Sequence, residues 1–213
     1  MKSYILTGGD IHPDNLHIKP DKTDLIIAAD SGLNHAKPLG LTPTVVVGDY
    51  DSLGHAPEVD ASVEVVTVPT EKDVTDTQLA VELALTRGAG ELHIIGGLGG
   101  RLDHTLSNLA ILEDLADKKV RAVIEDGQNR VRLLRHDSTI LPRSGYTYVS
   151  LLALDPLCKG VDIEGVKYPL KNAKLERKFQ YAVSNEITGN CAFVSVRKGN
   201  LLVVESRDST KKA

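Results

Sequence analysis

Short hydrophobic runs alternate with helix-like segments over about the first 125 residues. The runs are rich in Val, Ile and Leu and are continuous, as in strands covered on both faces of a parallel sheet. Strands that alternate with helices favour an α/β domain with crossover helices. The predicted strands are Ser3–Thr7, Leu25–Ala29, Thr44–Val47, Val63–Val68, Leu92–Ile95 and Val120–Glu125.

The helix after the fourth strand has the clearest boundaries. Thr75 is its predicted N-cap, Gln78 occupies the capping-box position, and Gly88 marks its end. A second helix is predicted to begin near Asp103, with an apolar stripe that is broader than a single seam. The stripe consists of Leu102, Leu106, Leu109, Ile111, Leu112 and Leu115.

The pattern changes near residues 126–129. Beyond this point short strand-like runs are separated by turn residues, and no long helical period remains. We therefore predict an α/β domain over residues 1–126 and an all-β domain, a sandwich or a small barrel, over residues 127–213. The predicted strands of this second domain are Val131–Leu134, Thr147–Leu154, Val161–Ile163, Cys191–Val196 and Leu201–Glu205.

Composition narrows the class of function. A formal charge of -4 without a basic tract gives no electrostatic footprint for nucleic acid or for an anionic membrane surface. No run approaches the ~20 apolar residues of a membrane helix, and the N-terminus lacks the apolar region of a signal peptide. Two cysteines, Cys158 and Cys191, are too few for a disulfide framework. We expect a cytoplasmic protein with inert thiols and with neither nucleic acid nor membrane as a partner.

Four predicted strands end in residues suited to charged ligands. Acids, glycines and one arginine follow these strands, in segments 30–34, 48–52, 71–76 and 96–104. Ligands of open α/β sheets bind at the carboxyl ends of the strands. We therefore expect these segments to form one rim of the sheet.

The acids of this rim indicate a divalent cation. Asp49 and Asp51 are two positions apart, so an extended backbone directs both carboxylates to one side. Asp73 and Asp76 lie on a neighbouring loop. Such oxygen donors, together with substrate phosphates, suit Mg²⁺. Each pair alone is equally consistent with acids that end a strand or interact with a helix dipole, but two pairs on adjacent strand ends favour a metal site.

A glycine run, Gly96–Gly100 with Leu98 inside it, joins the fifth strand to the second helix. Its backbone N–H groups can bind phosphate, and Arg101 adds a forked donor. The run is neither a Walker A sequence nor a dinucleotide fingerprint, and a plain tight turn explains it equally well. Asp103 is also explained as a helix cap, and His104 as a general base or a structural histidine. With no nucleophilic triad in view, the rim favours metal–phosphate chemistry over a covalent intermediate.

At these positions the sequence resembles the thiamine pyrophosphokinase family. Ser31 departs from it, because the family commonly has a second glycine there, and the chain lacks the Trp that some relatives stack on thiamine. The motifs occur in the family's order over nearly the whole chain. They are Asp30-Ser31-Gly32, Gly48-Asp49-Tyr50-Asp51-Ser52, Lys72-Asp73-Val74-Thr75-Asp76, Gly96–Gly100 with Arg101-Leu102-Asp103-His104, and Val183-Ser184-Asn185-Glu186.

The resemblance implies a Rossmann-like α/β domain that holds ATP and Mg²⁺, a C-terminal β-sandwich, and a homodimer with sites between subunits. Ser184 and Asn185 would contact thiamine. The metal-side acids would be Asp49, Asp51 and Asp76, with Asp73 as a further acid and Arg101 on phosphate, and these five are the expected catalytic residues. The other expected nucleotide-site residues are Asp30, Ser31, Gly32, Thr75, Gly97, Gly99, Gly100 and Asp103.

The reaction so implied is a direct displacement, in which the thiamine hydroxyl attacks the β-phosphorus of ATP and AMP leaves. Asp73 or Asp76 would accept the hydroxyl proton. Two alternatives stay open: a pyrophosphokinase for another hydroxymethyl heterocycle, such as a pterin, and a nucleotide- or thiamine-binding regulator without turnover. The segment around Ser184 favours thiamine, and the number of carboxylates favours catalysis.

Overall fold

The computed structural model of the chain describes residues 1–49, 59–67 and 74–208. Two of the predicted site acids, Asp51 and Asp73, lie outside the described residues. The chain divides into two units between Gly127 and Gln128. Within the described ranges, the first unit combines strands with helices, and the second consists of strands and turns.

A parallel sheet organises the first unit. Its described strands are β1 (Lys2–Leu6), β2 (Leu25–Ala29), β3 (Val45–Gly48), β4 (Glu64–Thr67), β5 (Glu91–Ile95) and β6 (Arg121–Glu125). They pair in the order β4–β3–β2–β1–β5–β6. From β1 the chain moves outward on one side through β2 to β4, and then on the other side through β5 and β6. The loops that follow β1 and β5 therefore diverge, which opens a crevice at this switch point.

The central strands are buried, as their continuous apolar runs predict. Ile5, Ile27 and Ile94 have no solvent exposure. Strand β4 differs, because most of it is exposed and Val65 is 38% exposed. The prediction that this strand is covered on both faces is wrong, because most of its residues are exposed. Within the described residues β4 pairs with β3 alone and forms an edge of the sheet.

Three α-helices accompany this sheet in the described residues: α1 (Leu33–Ala36), α2 (Asp76–Thr86) and α3 (Leu102–Asp117). The predicted N-cap of α2 is confirmed, because Thr75 Oγ1 accepts a hydrogen bond from the Gln78 N–H at 3.2 Å. The cap position of α3 is Arg101, so Asp103 lies within the first turn. The interpretation of Asp103 as the helix cap is therefore wrong.

The apolar stripe of α3 is shorter than the sequence predicts. Leu102 and Leu106 are 70% and 58% exposed, whereas Ile111, Leu112 and Leu115 are buried. The helix buries its later turns, and the prediction is wrong for its first turn. No helix within the described ranges has the length and apolar character needed to cross a membrane.

The second unit is built from antiparallel strands. They are β7 (Asn129–Arg135), β8 (Ser138–Pro142), β9 (Tyr148–Ala153), β10 (Leu157–Glu164), β11 (Leu170–Glu176), β12 (Cys191–Lys198) and β13 (Asn200–Ser206). β13 pairs with β7 and β9, and a second sheet has the order β11–β10–β12–β8. Side chains from both sheets share one core, including Leu151 and Leu201 from the first and Leu141, Ile163 and Val194 from the second.

Charge is distributed unequally between the two parts of the chain. Residues 1–127 contain 21 acidic and 10 basic residues, a net charge of -11, while residues 128–213 contain 8 acidic and 15 basic residues, a net charge of +7. In the second unit, Lys159 on β10 has Lys174 and Lys198 as its cross-strand partners, and all three are exposed. The small total charge of -4 therefore hides an acidic unit and a basic unit.

Candidate functional site

A cleft of about 580 Å³ opens at the switch point of the parallel sheet. Its walls come from the loops that follow β1, β2 and β5 and from the first residues of α2 and α3. Eight predicted site residues line it: Asp30, Ser31, Thr75, Asp76, Gly97, Gly99, Gly100 and Arg101.

Three other predicted residues of the first unit are described but are not among those that line the cleft. Gly32 is buried, and a Cβ at this position would lie 2.1 Å from the Leu6 carbonyl oxygen, so close packing requires the glycine. Asp49 follows β3 directly and is partly buried. Asp103 is exposed on the first turn of α3.

The glycine run has two parts, in which glycine is required by different structural constraints. Gly96 has φ +79°, and a Cβ there would lie 2.7 Å from the Thr7 carbonyl oxygen, so this end packs against the loop after β1. Gly99 and Gly100 have φ of +88° and +70°, and a Cβ at either would meet nothing closer than 3.8 Å. A tight, packed turn explains the first part, while the second part presents open backbone to the cleft.

The described carboxylates of the cleft belong to Asp10, Asp30 and Asp76. Asp30 has a left-handed backbone, with φ +44°, directly at the end of β2. Asp76 is the first residue of α2. Within the described residues no three His, Cys, Asp or Glu side chains already form a metal cage. An open set of carboxylate oxygens nevertheless fits Mg²⁺, which typically takes one or two carboxylates and completes its shell with water and phosphates.

Arg101 lines the cleft and forms a forked ion pair with Asp103. Arg101 Nη2 lies 2.6 Å from Asp103 Oδ2, and Arg101 Nε lies 3.1 Å from Asp103 Oδ1. These donated hydrogen bonds hold the pKa of the Asp103 carboxyl below its usual range. The two side chains are 74% and 62% exposed, and exposed pairs of this kind are weak. The guanidinium can therefore exchange this partner for a phosphate.

Sequence reasoning missed the loop after β1. Gly8, Gly9 and Asp10 all line the cleft, and a Cβ at Gly9 would lie 2.2 Å from the Gly96 carbonyl oxygen. The loops after β1 and β5 are thus in direct backbone contact. The signal that could have found this loop is the segment Thr7-Gly8-Gly9-Asp10 at the end of the first strand. Like the four rim segments, it places glycines and an acid at a strand end.

Sequence reasoning also missed two side chains that hold these loops. Asn108 of α3 donates from Nδ2 to the Gly97 carbonyl oxygen at 2.9 Å, and it is 7% exposed. His35 of α1 is hydrogen-bonded through Nε2 to the Gly9 carbonyl oxygen at 2.8 Å. The sequence does contain a signal for Asn108, because this polar residue lies on the apolar side of α3.

The predicted thiamine-side residues lie in the second unit. Ser184 is exposed, has φ +56°, and donates its N–H to Ser150 Oγ at 2.9 Å. Asn185 is buried, and its side-chain amide bonds both backbone groups of Tyr168: Nδ2 to the carbonyl oxygen at 2.7 Å, and Oδ1 from the N–H at 3.0 Å. The ring of Tyr168 is itself exposed, with Lys167 Nζ 5.7 Å from its centroid. Asn185 thus fixes an exposed aromatic residue beside Ser184.

Comparison with protein families gives two matches along the chain. Residues 18–124 match the model described as thiamin pyrophosphokinase, catalytic domain, and residues 137–201 match thiamin pyrophosphokinase, vitamin B1 binding domain. The chain belongs to the thiamin pyrophosphokinase family. Most of the cleft falls within the catalytic-domain match, and Tyr168, Ser184 and Asn185 fall within the vitamin B1 binding match.

Individual relatives agree with this family. The chain is 27% identical over 192 residues to thiamine pyrophosphokinase of Bacillus subtilis (strain 168), covering 88% of this chain and 90% of that protein. It is 25% identical to thiamin pyrophosphokinase 1 of Caenorhabditis elegans, covering 87% and 80%. The crystal structure of thiamin pyrophosphokinase from Geobacillus thermodenitrificans is similar with a TM-score of 0.82, 26% identity and 99% coverage of each chain.

Proposed function

We propose that the chain transfers the pyrophosphoryl group of ATP to thiamine, giving thiamine diphosphate and AMP by direct displacement. The observation that supports this most is the joint match to a thiamin pyrophosphokinase catalytic domain and a vitamin B1 binding domain on one chain. The cleft within the first domain combines glycine backbone, carboxylates and an arginine, which suits a triphosphate.

The phosphates would lie between Arg101 and the backbone of Gly99 and Gly100. N–H groups at the start of α2, next to Thr75, add further donors. Catalysis in this arrangement comes from alignment of the reactants and from hydrogen-bond donors directed at the phosphate oxygens. Asp76 or Asp73 would accept the proton of the thiamine hydroxyl as the new P–O bond forms.

Mg²⁺ would be held by Asp49, Asp51 and Asp76, with Asp10 and Asp30 as further oxygen donors on the same cleft. When bound, the ion would neutralise negative charge on the phosphates. The net charge of -11 on residues 1–127 supports this assignment, because such an acidic unit otherwise repels ATP.

Thiamine would be recognised in the second unit by Ser184 and by the ring of Tyr168. Tyr168 supplies the aromatic face for which the chain has no Trp, and its exposed ring and its backbone bonds to Asn185 support this choice. Asn185 would then act on thiamine mainly by fixing Tyr168.

The finer architecture completes the proposal. The sheet order with its switch point supports a Rossmann-like first domain over residues 1–126, and the core shared by two antiparallel sheets supports a β-sandwich over residues 127–213. The active enzyme would be a homodimer with sites between subunits. Buried Cys158 and exposed Cys191 are both free thiols, which favours the reducing cytoplasm.

The deciding experiment measures AMP and thiamine diphosphate from ATP, Mg²⁺ and thiamine by chromatography. We expect equimolar products that depend on thiamine. A hydroxymethyl pterin in place of thiamine serves as the matched control. Product from the pterin alone would favour the other heterocycle, and nucleotide binding without AMP would favour a regulator; either result contradicts the proposal.

A further inference from the structure

Two polar side chains, one from α1 and one from α3, bond to the loops that follow β1 and β5 at the switch point. His35 of α1 bonds the carbonyl oxygen of Gly9, and Asn108 of α3 bonds the carbonyl oxygen of Gly97, at 2.8 and 2.9 Å. Neither histidine nor asparagine is needed to fold a helix at these positions, and both have lower helix propensity than leucine or alanine. Their presence is better explained by a role in holding the loops that they bond.

The burial of Asn108 makes the argument stronger. This residue is 7% exposed, on the same helix as the buried Ile111 and Leu112. An apolar side chain would avoid the cost of burying an amide, which is tolerated when the amide is hydrogen-bonded. The bond to Gly97 satisfies that requirement, so the residue is built to hold this carbonyl group.

Fixing a carbonyl group also fixes the N–H that follows it. The peptide unit is planar, no cis peptide bond occurs in the described residues, and the C=O and N–H of a trans unit point in opposite directions. His35 therefore sets the direction of the Asp10 N–H, and Asn108 sets that of the Leu98 N–H. Asp10 lines the cleft, and Leu98 lies between the lining residues Gly97 and Gly99.

The two held loops are in contact. A Cβ on Gly9 would lie 2.2 Å from the Gly96 carbonyl oxygen, so the backbones of the two loops touch at this point, beside the cleft. The Thr7 N–H and hydroxyl both donate to the Ile95 carbonyl oxygen, at 2.8 and 3.1 Å, which ties their strand ends together. We therefore expect the loss of either hydrogen bond, that of His35 or that of Asn108, to affect both loops.

We propose that His35 and Asn108 are positioning residues for the nucleotide, which hold the two loops of the switch point in the orientation that binds the phosphates of ATP. The inference rests on the proposed function only in assigning a nucleotide to the cleft. Neither side chain takes part in the chemical step.

The test compares His35→Leu and Asn108→Leu, which remove the donors, with His35→Gln, which keeps a donor of similar reach. The control is Thr44→Val, which removes hydrogen bonds between Thr44 Oγ1 and the Ile26 backbone at the start of β3, away from the cleft. We measure the KM of MgATP, the KM of thiamine, the melting temperature, and the Kd of ADP by calorimetry without thiamine.

We expect both Leu variants to weaken ADP binding and to raise the KM of MgATP by about tenfold, the effect of losing one hydrogen bond in each loop. The KM of thiamine should stay within about twofold, and His35→Gln should recover most of the nucleotide affinity. Because the loops touch, the double variant should lose less than the product of the single losses.

Several results would overturn the proposal. One is a fall in melting temperature like that of Thr44→Val with nucleotide affinity unchanged, which would make the two residues structural. Another is an equal rise in both KM values. If Asn108→Leu does not fold, the three-way comparison at His35 decides alone. Nucleotide binding that falls as expected in a chain that makes no AMP would support the positioning role while refuting the kinase; a wild-type chain that binds no nucleotide would refute both.

Discussion

Arg101 combines a weak, exposed ion pair with a position on the cleft, which supports its proposed role in phosphate binding. Its forked contact with Asp103 is exposed, so solvent and salt screen it and little stability depends on it. The same fork matches two oxygens of a phosphate, which carries more negative charge than a carboxylate. ATP would therefore draw Arg101 away from Asp103 at small cost.

Replacing Arg101 with Ala should raise the KM of MgATP and lower kcat, together reducing kcat/KM by about 100-fold, because a charge-assisted contact is lost. Steady-state kinetics at saturating thiamine check this. Arg121→Ala is the matched control, since this arginine is also exposed but pairs with Glu91 at 3.3 Å and does not line the cleft. If the two variants have the same ATP kinetics, Arg101 is only a residue at the start of a helix.

Cys158 gives a prediction about pH. Burial, with a smaller contribution from the charge of Asp155, raises the pKa of its thiol from 9.0 to about 11. Because the folded pKa lies above the unfolded one, the stabilising contribution is fully present below pH 9 and is lost as pH rises towards 11. The free energy of unfolding should fall by about 3 kcal/mol over this window through Cys158 alone. Denaturant titrations should show this component missing in Cys158→Ala and retained in Cys191→Ala, and equal profiles for the two variants would contradict it.

At the scale of elements, the strands of the first unit are predictable because buried parallel strands need continuous β-branched runs. The observed bounds differ from the prediction by a residue or so. Strands β8 and β11 were not predicted. The residues of β11, Leu170–Glu176, are mostly exposed and include three charged residues, so this strand lacks the apolar signal. Its strand state comes from pairing with β10, a long-range contact.

The candidate site was predictable to a similar degree. Acids and glycines at strand ends have a local signature, so eight of the predicted residues lie together in the cleft. His35 and Asn108 could not be found this way, since their importance lies in bonds to carbonyl groups 26 and 11 residues away. Hydrogen bonds between a side chain and a distant backbone group leave no repeating pattern in a single sequence.

Helix α2 gives a prediction at this scale. Thr75→Ala removes the side-chain oxygen that accepts the Gln78 N–H at the N-terminus of α2, and should lower the free energy of unfolding by about 1 kcal/mol. Thr75→Ser keeps the oxygen and should retain most of the stability. Urea denaturation measures both. Equal losses in the two variants would show that the methyl group, and not the cap, matters.

At the scale of the whole molecule, the separation of charge favours association between copies. A unit of net charge -11 and a unit of +7 in the same chain attract their opposites on a second copy. The exposed lysines of β10, β11 and β12 lie directly opposite one another, which is unfavourable within one chain and is relieved by an acidic partner. This supports the proposed homodimer.

Mixing two inactive variants tests this assembly. Asp76→Asn damages the cleft, and Tyr168→Ala removes an exposed ring in the other unit, so both chains should fold. In a homodimer with sites between subunits, each mixed dimer regains one intact site, and random pairing makes about half of the dimers mixed. Activity of about a quarter of the wild type should appear and should fall with rising salt. No recovery, or a fully active monomer by light scattering, would rule out such shared sites.

The contrast between the two thiols makes the protein convenient for spectroscopy. Cys191 is exposed at the start of β12, while Cys158 is enclosed and stays protonated at neutral pH. A maleimide reagent should therefore attach to one position per chain without prior mutagenesis. In the proposed homodimer, a spin label placed there would report a single distance between the two copies, and no engineered cysteine would be needed.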